Sequence, residues 1–349
     1  MTPTPDPVAL RAALPVALLR PSTVRSFGYV LRDGAALVGV YALASAVDSP
    51  WLTPLFAFAE GTLFWALFVL GHDCGHGAFS RHRRLNTIVG HALHTPLLVP
   101  YHAWRISHRL HHRHAGDVER DATWFPLTPV QLAALPGAVR WLRLRGFLLV
   151  FPLYLLRGTP GRAHGSHFDP RCSLFAEHER RAVATSVALC ACWLLGLASL
   201  TAWQGPAFVA RHWLAPWFVF CLWAALVTYL HHTDPDVPWY RGAAWSPLRG
   251  ALATVNRRYG PFERIHHDAG CHVAHHLFPE LPHYALRPAT EALRPLLGEA
   301  LRESHAPVLR ALFTAARECE AVAETGEVVR YARLAAPAPS GAASSPATT

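Results

Sequence analysis

The chain has 349 residues, of which 52% are hydrophobic and only 16% are charged, whereas about a quarter of the residues in an ordinary soluble domain are charged. This composition argues against two soluble domains, and in so apolar a chain the net charge of +9 is better explained by arginines flanking membrane segments than by nucleic-acid binding. Seven scattered cysteines do not form a disulfide pattern and predict reduced thiols.

Four apolar runs predict transmembrane helices at Gly34–Val47, Trp51–Leu70, Ala182–Trp203 and Phe208–Leu230. A helix needs about 20 apolar residues to cross a hydrocarbon core of about 30 Å, and the last three runs approach or exceed that length. The first run is short unless it extends to include residues 29–31 or part of the turn at residues 48–50. The four runs predict two transmembrane hairpins, and the shorter apolar patches at residues 93–104 and 147–156 are expected in the membrane interface.

Basic residues are distributed unevenly around these runs. Fifteen arginines lie from His72 to Arg181, whereas the predicted outer turns at residues 48–50 and 204–206 carry none. Because arginine is enriched in cytoplasmic loops, both termini and both long loops are expected on the cytoplasmic side of a bacterial inner membrane. The expected organisation is a cytoplasmic N-terminal segment (1–33), a membrane domain (34–334) and a disordered C-terminal tail (335–349).

Histidines are in large excess, 23 in all, and three motifs contain several of them. The motif HDCGH (72–76) directly follows the second apolar run, and HxxHH occurs at residues 108–112 and 272–276. On a helix, positions i, i+3 and i+4 share one face, so the three motifs present eight candidate metal ligands: His72, His76, His108, His111, His112, His272, His275 and His276. All three motifs follow an even-numbered crossing and fall on one side of the membrane. His231 and His232, at the end of the fourth run, are placed to add a ninth ligand.

The number of ligands predicts the number of ions. Eight or nine imidazoles exceed what one ion can bind, so two ions are expected. Imidazole suits zinc, copper, iron and nickel about equally, so ligand type leaves the metal open. A closed structural zinc site usually includes cysteine, and the HExxH motif of hydrolytic zinc sites is absent from the sequence.

Carboxylates near the motifs are candidates to orient the ligating rings, because such rings donate their second N–H to a carboxylate or carbonyl. Asp73 and Asp268 are the preferred candidates, and Asp117, Asp121 and Asp234 also lie close to the motifs in sequence. The remaining histidines are expected to be solvated or interfacial: His82, His91, His94, His102, His114, His266, His267 and His283.

The motifs resemble those of a known family. His72–Ser80, Trp104–Arg109 and His272–Pro279 are similar to the histidine boxes of the membrane fatty acid desaturases, and the resemblance extends from about Leu10 to Tyr331. The closest branch is the methyl-end group of omega-3 and delta-12 acyl-lipid desaturases. Within that branch, residues 228–232, 238–242 and 265–268 look more like the omega-3 members.

This resemblance implies an all-α membrane protein with a cytoplasmic helical cap and two irons held by the eight box histidines. It also implies His232 as the ninth ligand. The sequence departs from the family pattern at three positions: Asn256 and Arg258 stand where the family usually has Asp, and Cys271 replaces the usual Thr. These departures spare the ligands but put the position of the double bond, and docking of the electron donor, in doubt.

The expected activity is O₂-dependent introduction of a cis double bond near the methyl end of a lipid-linked fatty acyl chain, omega-3 before delta-12. Because no protein side chain can remove hydrogen from an unactivated methylene, a metal cofactor must do so. A separate carrier must supply two electrons per turnover, with ferredoxin favoured over a cytochrome-b-type donor. Two alternatives stay open: a fatty acyl hydroxylase or related diiron oxygenase on the same scaffold and, more remotely, a histidine-rich metal transporter.

Overall fold

The computed structural model describes residues 5–47, 49–162 and 165–334. The expected disordered tail (335–349) lies outside the described residues. Within them the chain is mostly helical, and its α-helices, in chain order, are α1 (Pro7–Ala12), α2 (Thr23–Ala46), α3 (Thr53–His76), α4 (Arg83–His94), α5 (Tyr101–His114), α6 (Pro129–Ala134), α7 (Gly137–Leu144), α8 (Val150–Arg157), α9 (Arg180–Gln204), α10 (Pro206–Val209), α11 (Ala215–His232), α12 (Pro247–Ala251), α13 (His272–Leu277), α14 (His283–Leu297) and α15 (Val308–Glu318).

Among the described residues, four helical segments are long and apolar enough to cross a membrane: Thr23–Ala46, Pro50–His76, Glu177–Gln204 and Pro206–His232. The fourth is continuous because a π-helical turn, Ala210–Leu214, joins α10 to α11. The helix α3 packs against both α2 and α11. At the α3–α11 contact, Gly61 lies so close to Pro216 and Val219 that any side chain would overlap them.

The first span begins earlier than its apolar run indicates. The Ser22 side chain accepts a hydrogen bond from the Arg25 backbone and caps the N-terminus of α2, so the expected boundary between residues 33 and 34 falls inside this helix. Asp33 is buried in it, paired with Arg32 and hydrogen-bonded to His267. Arg32 and Asp33 lower the local hydropathy and so hide the start of the span in the sequence, and the contact with the remote His267 that allows Asp33 to be buried there is not visible in a local pattern.

Helices α4 and α5 form a hairpin that turns at a short 3₁₀ segment, Thr95–Leu97. The Trp213 indole donates to the Pro96 carbonyl at 3.0 Å, and the Trp217 indole donates to the Leu97 carbonyl at 2.8 Å. Non-helical backbone beside a membrane span requires such partners, because hydrocarbon offers none. These two hydrogen bonds thus hold the tip of the hairpin against the fourth span.

The part of the chain after α11 is not purely helical, which corrects the expectation of an all-α protein. Strands β1 (Pro238–Tyr240), β5 (Val328–Ala332) and β4 (Ala321–Val322) form an antiparallel sheet in that order, and β2 (Asn256–Arg257) pairs in parallel with β3 (Glu303–Ser304). Strands this short produce no alternating pattern that could be read from the sequence.

Candidate metal centre

The histidine motifs all lie at or near helix ends. The first occupies the last turns of α3, which ends at His76 because Gly77 adopts a left-handed conformation with a φ of 76°. The second lies in the last turns of α5, and the third forms the short helix α13. His232 is the last residue of α11. Four segments remote in sequence therefore place their histidines in one region.

Five of the nine expected histidines form one group: His72, His76, His108, His112 and His275. One ligand nitrogen from each lies within 4.8 Å of the others. The His108 Nε2 atom is 3.0 Å from that of His72 and 3.2 Å from that of His112. These three rings come from both α3 and α5, so the contact between the two helices builds the group.

The other four form an adjoining group. Ligand nitrogens of His111, His232 and His276 lie within 4.8 Å of one another, and the His272 Nε2 atom is 3.1 Å from the Nε2 atoms of both His232 and His276. The two groups touch where the His112 and His276 rings stack at 4.2 Å. The structure thus brings together all nine histidines singled out in the sequence.

Hydrogen bonding within the protein cannot satisfy these nitrogens. Each imidazole nitrogen carries either one proton or one lone pair, yet the His232 Nε2 atom faces the Nε2 atoms of both His111 and His272. The Nε2 atoms of His76 and His275 are buried without a hydrogen-bond partner among the described residues. Convergent lone pairs of this kind fit bound cations, since each cation accepts several of them at once.

The protonation state of the rings also favours metal binding. For the following cluster histidines, which lie outside the four spans, burial lowers the pKa well below the usual value and neighbouring histidines lower it further: His108, His112, His272, His275 and His276. Such rings stay neutral at physiological pH, and the neutral ring is the form that binds a metal ion.

One carboxylate directly orients a ring of the cluster. Asp121 is fully buried, and its Oδ2 atom lies 2.9 Å from Nδ1 of His111. The Asp121 carboxylate also accepts hydrogen bonds from the backbone N–H groups of Thr123 and Trp124. Because Nδ1 of His111 donates to this carboxylate, its Nε2 atom is left to present a lone pair to the second group.

The two preferred carboxylates have other partners. Asp73 accepts hydrogen bonds from the His283 ring at 2.8 Å and from its backbone N–H at 3.0 Å, whereas the His72 ring is 3.6 Å away. Asp73 therefore ties α14 to α3 more directly than it orients His72. Asp268 pairs with Arg287 and, in the described part of the chain, its side chain forms no hydrogen bond or ion pair with a box histidine. The expectation that Asp268 orients a ligand is not met.

His231 and His232 have different environments. The His231 ring donates through Nδ1 to the Val255 carbonyl at 2.7 Å, and its Nε2 atom lies 3.0 Å from the Tyr259 hydroxyl. Both of its nitrogens are engaged, whereas His232 faces the cluster. This geometry agrees with His232 as the further histidine.

Several histidines expected at the surface are buried. His94, His266, His267 and His283 are each at most 3% exposed. His267 donates to Asp33 at 2.8 Å, and His94 contacts the Phe68 carbonyl at 3.2 Å. Their partners lie far away in the sequence, so no local pattern distinguishes them from solvated histidines. His82 is exposed, as expected.

An apolar cavity of about 130 Å³ adjoins the histidines. Its walls include Phe68, Trp104, Phe151 and Ala224, and six histidines of the cluster contribute to its lining: His72, His108, His111, His232, His272 and His275. The Tyr154 side chain also lines it, with its hydroxyl 2.9 Å from the Ser107 hydroxyl, which is itself 2.9 Å from the His167 ring. Neither Tyr154 nor His167 belongs to a motif, so no pattern in the sequence pointed to them.

Comparison with known proteins agrees with this architecture. Residues 49–307 match the fatty acid desaturase family. The chain is 47% identical to an sn-1 acyl-lipid omega-3 desaturase (ferredoxin) of Synechocystis sp., over 92% of this chain and 89% of that protein. It is 46% identical to an acyl-lipid omega-3 desaturase (cytochrome b5) of the endoplasmic reticulum of Arabidopsis thaliana, over 92% of this chain and 86% of that protein. The chain belongs to the fatty acid desaturase family.

Proposed function

We propose that this enzyme introduces a cis double bond at the omega-3 position of a lipid-linked fatty acyl chain. The observation that carries this proposal is the apolar cavity whose lining includes six histidines of the nine-membered cluster. Such a cavity suits a hydrocarbon chain and excludes water from the reacting carbons. The omega-3 position rests on the relatives, which are named omega-3 desaturases; delta-12 is the next choice.

The nine histidines would hold two irons: His72, His76, His108, His112 and His275 in the first group, and His111, His232, His272 and His276 in the second. Two irons with O₂ supply the oxidising power for removing two hydrogens from an unactivated methylene pair. In the overall reaction, two hydrogens from the acyl chain, two protons and two electrons reduce O₂ to two water molecules. Asp121 holds the His111 ring in one tautomer, and the aromatic walls hold the acyl chain against the cluster.

A separate protein would supply the electrons. One cyanobacterial relative is named with ferredoxin and one plant relative with cytochrome b5, and we infer ferredoxin for this chain. The arginine-rich segments beside the boxes support a cytoplasmic position for the cluster, in a bacterial inner membrane. The hydroxylase alternative shares this scaffold. A metal transporter fits less well, because transporters bind substrate near the bilayer midplane, whereas the cluster lies at helix ends.

Expression in a host that lacks omega-3 fatty acids tests the activity. With linoleate supplied, we expect mass spectrometry to detect acyl chains two mass units lighter, with the new double bond three carbons from the methyl end. A new bond nearer the carboxyl end would correct the position. Products sixteen mass units heavier would instead establish a hydroxylase.

Purified protein tests the cofactor. We expect two irons per chain and O₂ consumption that depends on both the acyl lipid and reduced ferredoxin. Active protein without iron would refute the diiron proposal.

A further inference from the structure

Helix α8 lies alongside the fourth span and not beyond its end. The Phe151 ring packs 5.5 Å from the Phe220 ring and 6.2 Å from the Phe68 ring. Phe220 precedes His232, the last residue of α11, by twelve residues, which corresponds to roughly 18 Å at 1.5 Å per residue. Phe68 precedes His72 by four residues, or roughly 6 Å, so the beginning of α8 lies beside the apolar parts of the second and fourth spans, on the membrane side of the histidines.

The other end of α8 rises to the level of the histidines. The Tyr154 hydroxyl contacts Ser107, the residue before His108. Arg157, in the last turn, is exposed and has no ion-pair partner among the described residues. An arginine at this height is suited to the phosphates of lipid headgroups. The helix thus slants from the hydrocarbon toward the membrane surface.

The two faces of α8 have different surroundings. Val150, Phe151 and Tyr154 line the apolar cavity. On the opposite face, Leu153 is 37% exposed and Leu156 is 53% exposed, and Leu149, which caps the helix, is 54% exposed. A single helix therefore separates the cavity from the outside at this depth, and its outer face carries leucines suited to lipid chains and not to water.

A neighbouring helix extends this apolar surface. The inner face of α15 packs through Ala311 and Ala315 into the cluster that contains Val150 of α8. Its outer face exposes Leu309 and Phe313, which are 79% and 72% exposed. The two helices thus meet at one hydrophobic cluster, and each exposes apolar side chains on its outer face, as an element in contact with lipid would.

We propose that α8 is a lid in the bilayer, and that the acyl chain of a glycerolipid in the same leaflet enters the cavity sideways past its leucines. This inference rests on the proposed function, because that function identifies the cavity as the acyl site. It deepens the proposal by specifying how the substrate is delivered: still attached to a membrane lipid, from the hydrocarbon, and not from a water-soluble carrier.

Fluorescence quenching tests the position of α8 without reference to activity. The full-length, iron-loaded protein carrying Leu153→Cys and Cys192→Ala is labelled with bimane and reconstituted into phosphatidylcholine–phosphatidylglycerol vesicles. We expect quenching by lipids with a doxyl group on the acyl chain and at least fivefold weaker quenching by aqueous iodide. Cys192, exposed on α9, is the lipid-facing reference, and Glu327→Cys, on the exposed turn before β5, is the aqueous one.

Two controls make the quenching result decisive. The Cys192→Ala protein without a new cysteine measures background labelling at the other six cysteines. If the label at residue 153 is quenched like the one at residue 327, α8 faces water and the lid proposal is wrong, whatever the activity of the enzyme.

Kinetics tests the route of entry. Leu153→Asn places a polar group on the outer face of α8, and Leu195→Asn makes the same change on an exposed position of α9. We expect Leu153→Asn to raise the apparent KM, expressed as the mole fraction of substrate lipid, severalfold, with kcat within twofold of wild type. Leu195→Asn is expected to leave both unchanged.

Equal effects from both variants, or a loss confined to kcat, would overturn lateral entry. A wild-type protein without desaturase activity would instead refute the proposed function.

Discussion

Histidines of one helix have different roles here according to the direction in which they project. His108, His111 and His112 of α5 all join the two histidine groups, whereas His114, two residues further along, lies outside both and packs 5.9 Å from the Trp245 ring. Helical spacing explains the difference, because positions i, i+3 and i+4 share a face and position i+6 does not. This arrangement allows one histidine to serve as the control for another.

Replacing His111 with Ala should abolish activity and reduce bound iron, while leaving membrane insertion intact. The change removes one of four nitrogens from the second group and leaves its neighbours without a common ion. Product analysis and iron content of the purified protein measure the effect. His114→Ala is the matched control and should retain both. A fully active His111→Ala variant would contradict the ligand assignment.

Asp121→Asn should reduce activity roughly 10–100-fold, because partners of the second ring nitrogen contribute that much to metal affinity or activity. The amide keeps the size of the side chain and can still accept the Thr123 and Trp124 hydrogen bonds, but it no longer holds the His111 ring with a carboxylate. Asp268→Asn, which changes a residue paired with Arg287, should have little effect. The reverse ranking would restore Asp268 as the orienting carboxylate.

At the scale of elements, the third box depends on a residue that departs from the family pattern. The Asn256 side-chain carbonyl accepts the Val273 backbone N–H at 2.8 Å and so fixes the first turn of α13. Asn256 also hydrogen-bonds to Glu303 across the β2–β3 pair. An amide can serve both partners, whereas an aspartate at this position would bring two carboxylates together. Glu303 therefore provides a physical reason for asparagine at position 256.

Asn256→Ala should lower stability by about 1–3 kcal/mol, since it leaves a buried N–H without an acceptor, and should lower iron content with it. Asn256→Asp should also be less stable than wild type, and Glu303→Gln should relieve that loss. Thermal unfolding in detergent measures both effects. Arg258→Ala, at the neighbouring exposed position, is the control and should match wild type. Equal stability of all variants would show that this contact does not support α13.

The sequence predicted the elements whose signals are local. Box spacing and apolar runs identified eight histidines of the cluster and the four long apolar helices, and the family resemblance selected His232 over His231 as the ninth. The sequence did not single out Asp121 as the partner of His111. The turn that brings Asp121 back to α5 depends on tertiary contacts, such as the hydrogen bond from the Thr159 hydroxyl to the Thr123 carbonyl. The start of α2 was missed for a similar reason. Asp33 lowers the hydropathy of this segment, and its hydrogen bond with His267 joins it to a residue that is remote in the sequence.

At the scale of the whole molecule, burial of neutral histidines links stability to pH. Burial lowers the pKa of His94 to about 3 and that of His167 to about 4. An unfolded histidine titrates near pH 6.5, so below that pH the unfolded chain takes up protons that the folded protein does not. This contribution to stability is complete above about pH 6.5 and is lost as pH falls toward the folded pKa, at about 1.4 kcal/mol per pH unit for each such group.

Lowering the pH from 7 to 5 should therefore lower the midpoint of thermal unfolding. His82→Gln, a change at an exposed position, is the reference variant and should show the same fall. Calorimetry across this range measures the effect. An unfolding midpoint that stays constant or rises toward pH 5 would show that these rings are protonated in the folded state.

The anchoring of the α4–α5 hairpin has a consequence for the order in which the protein assembles. The Pro96 and Leu97 carbonyls obtain their donors from Trp213 and Trp217, which are synthesised more than a hundred residues later. Until the fourth span is inserted, the hairpin that carries the second box lacks its anchor, and His232 and the third box follow later still. Binding of the proposed irons would therefore belong to the end of biogenesis, because a nascent chain halted before residue 213 has neither the two hydrogen bonds that hold the hairpin nor the complete set of nine histidines.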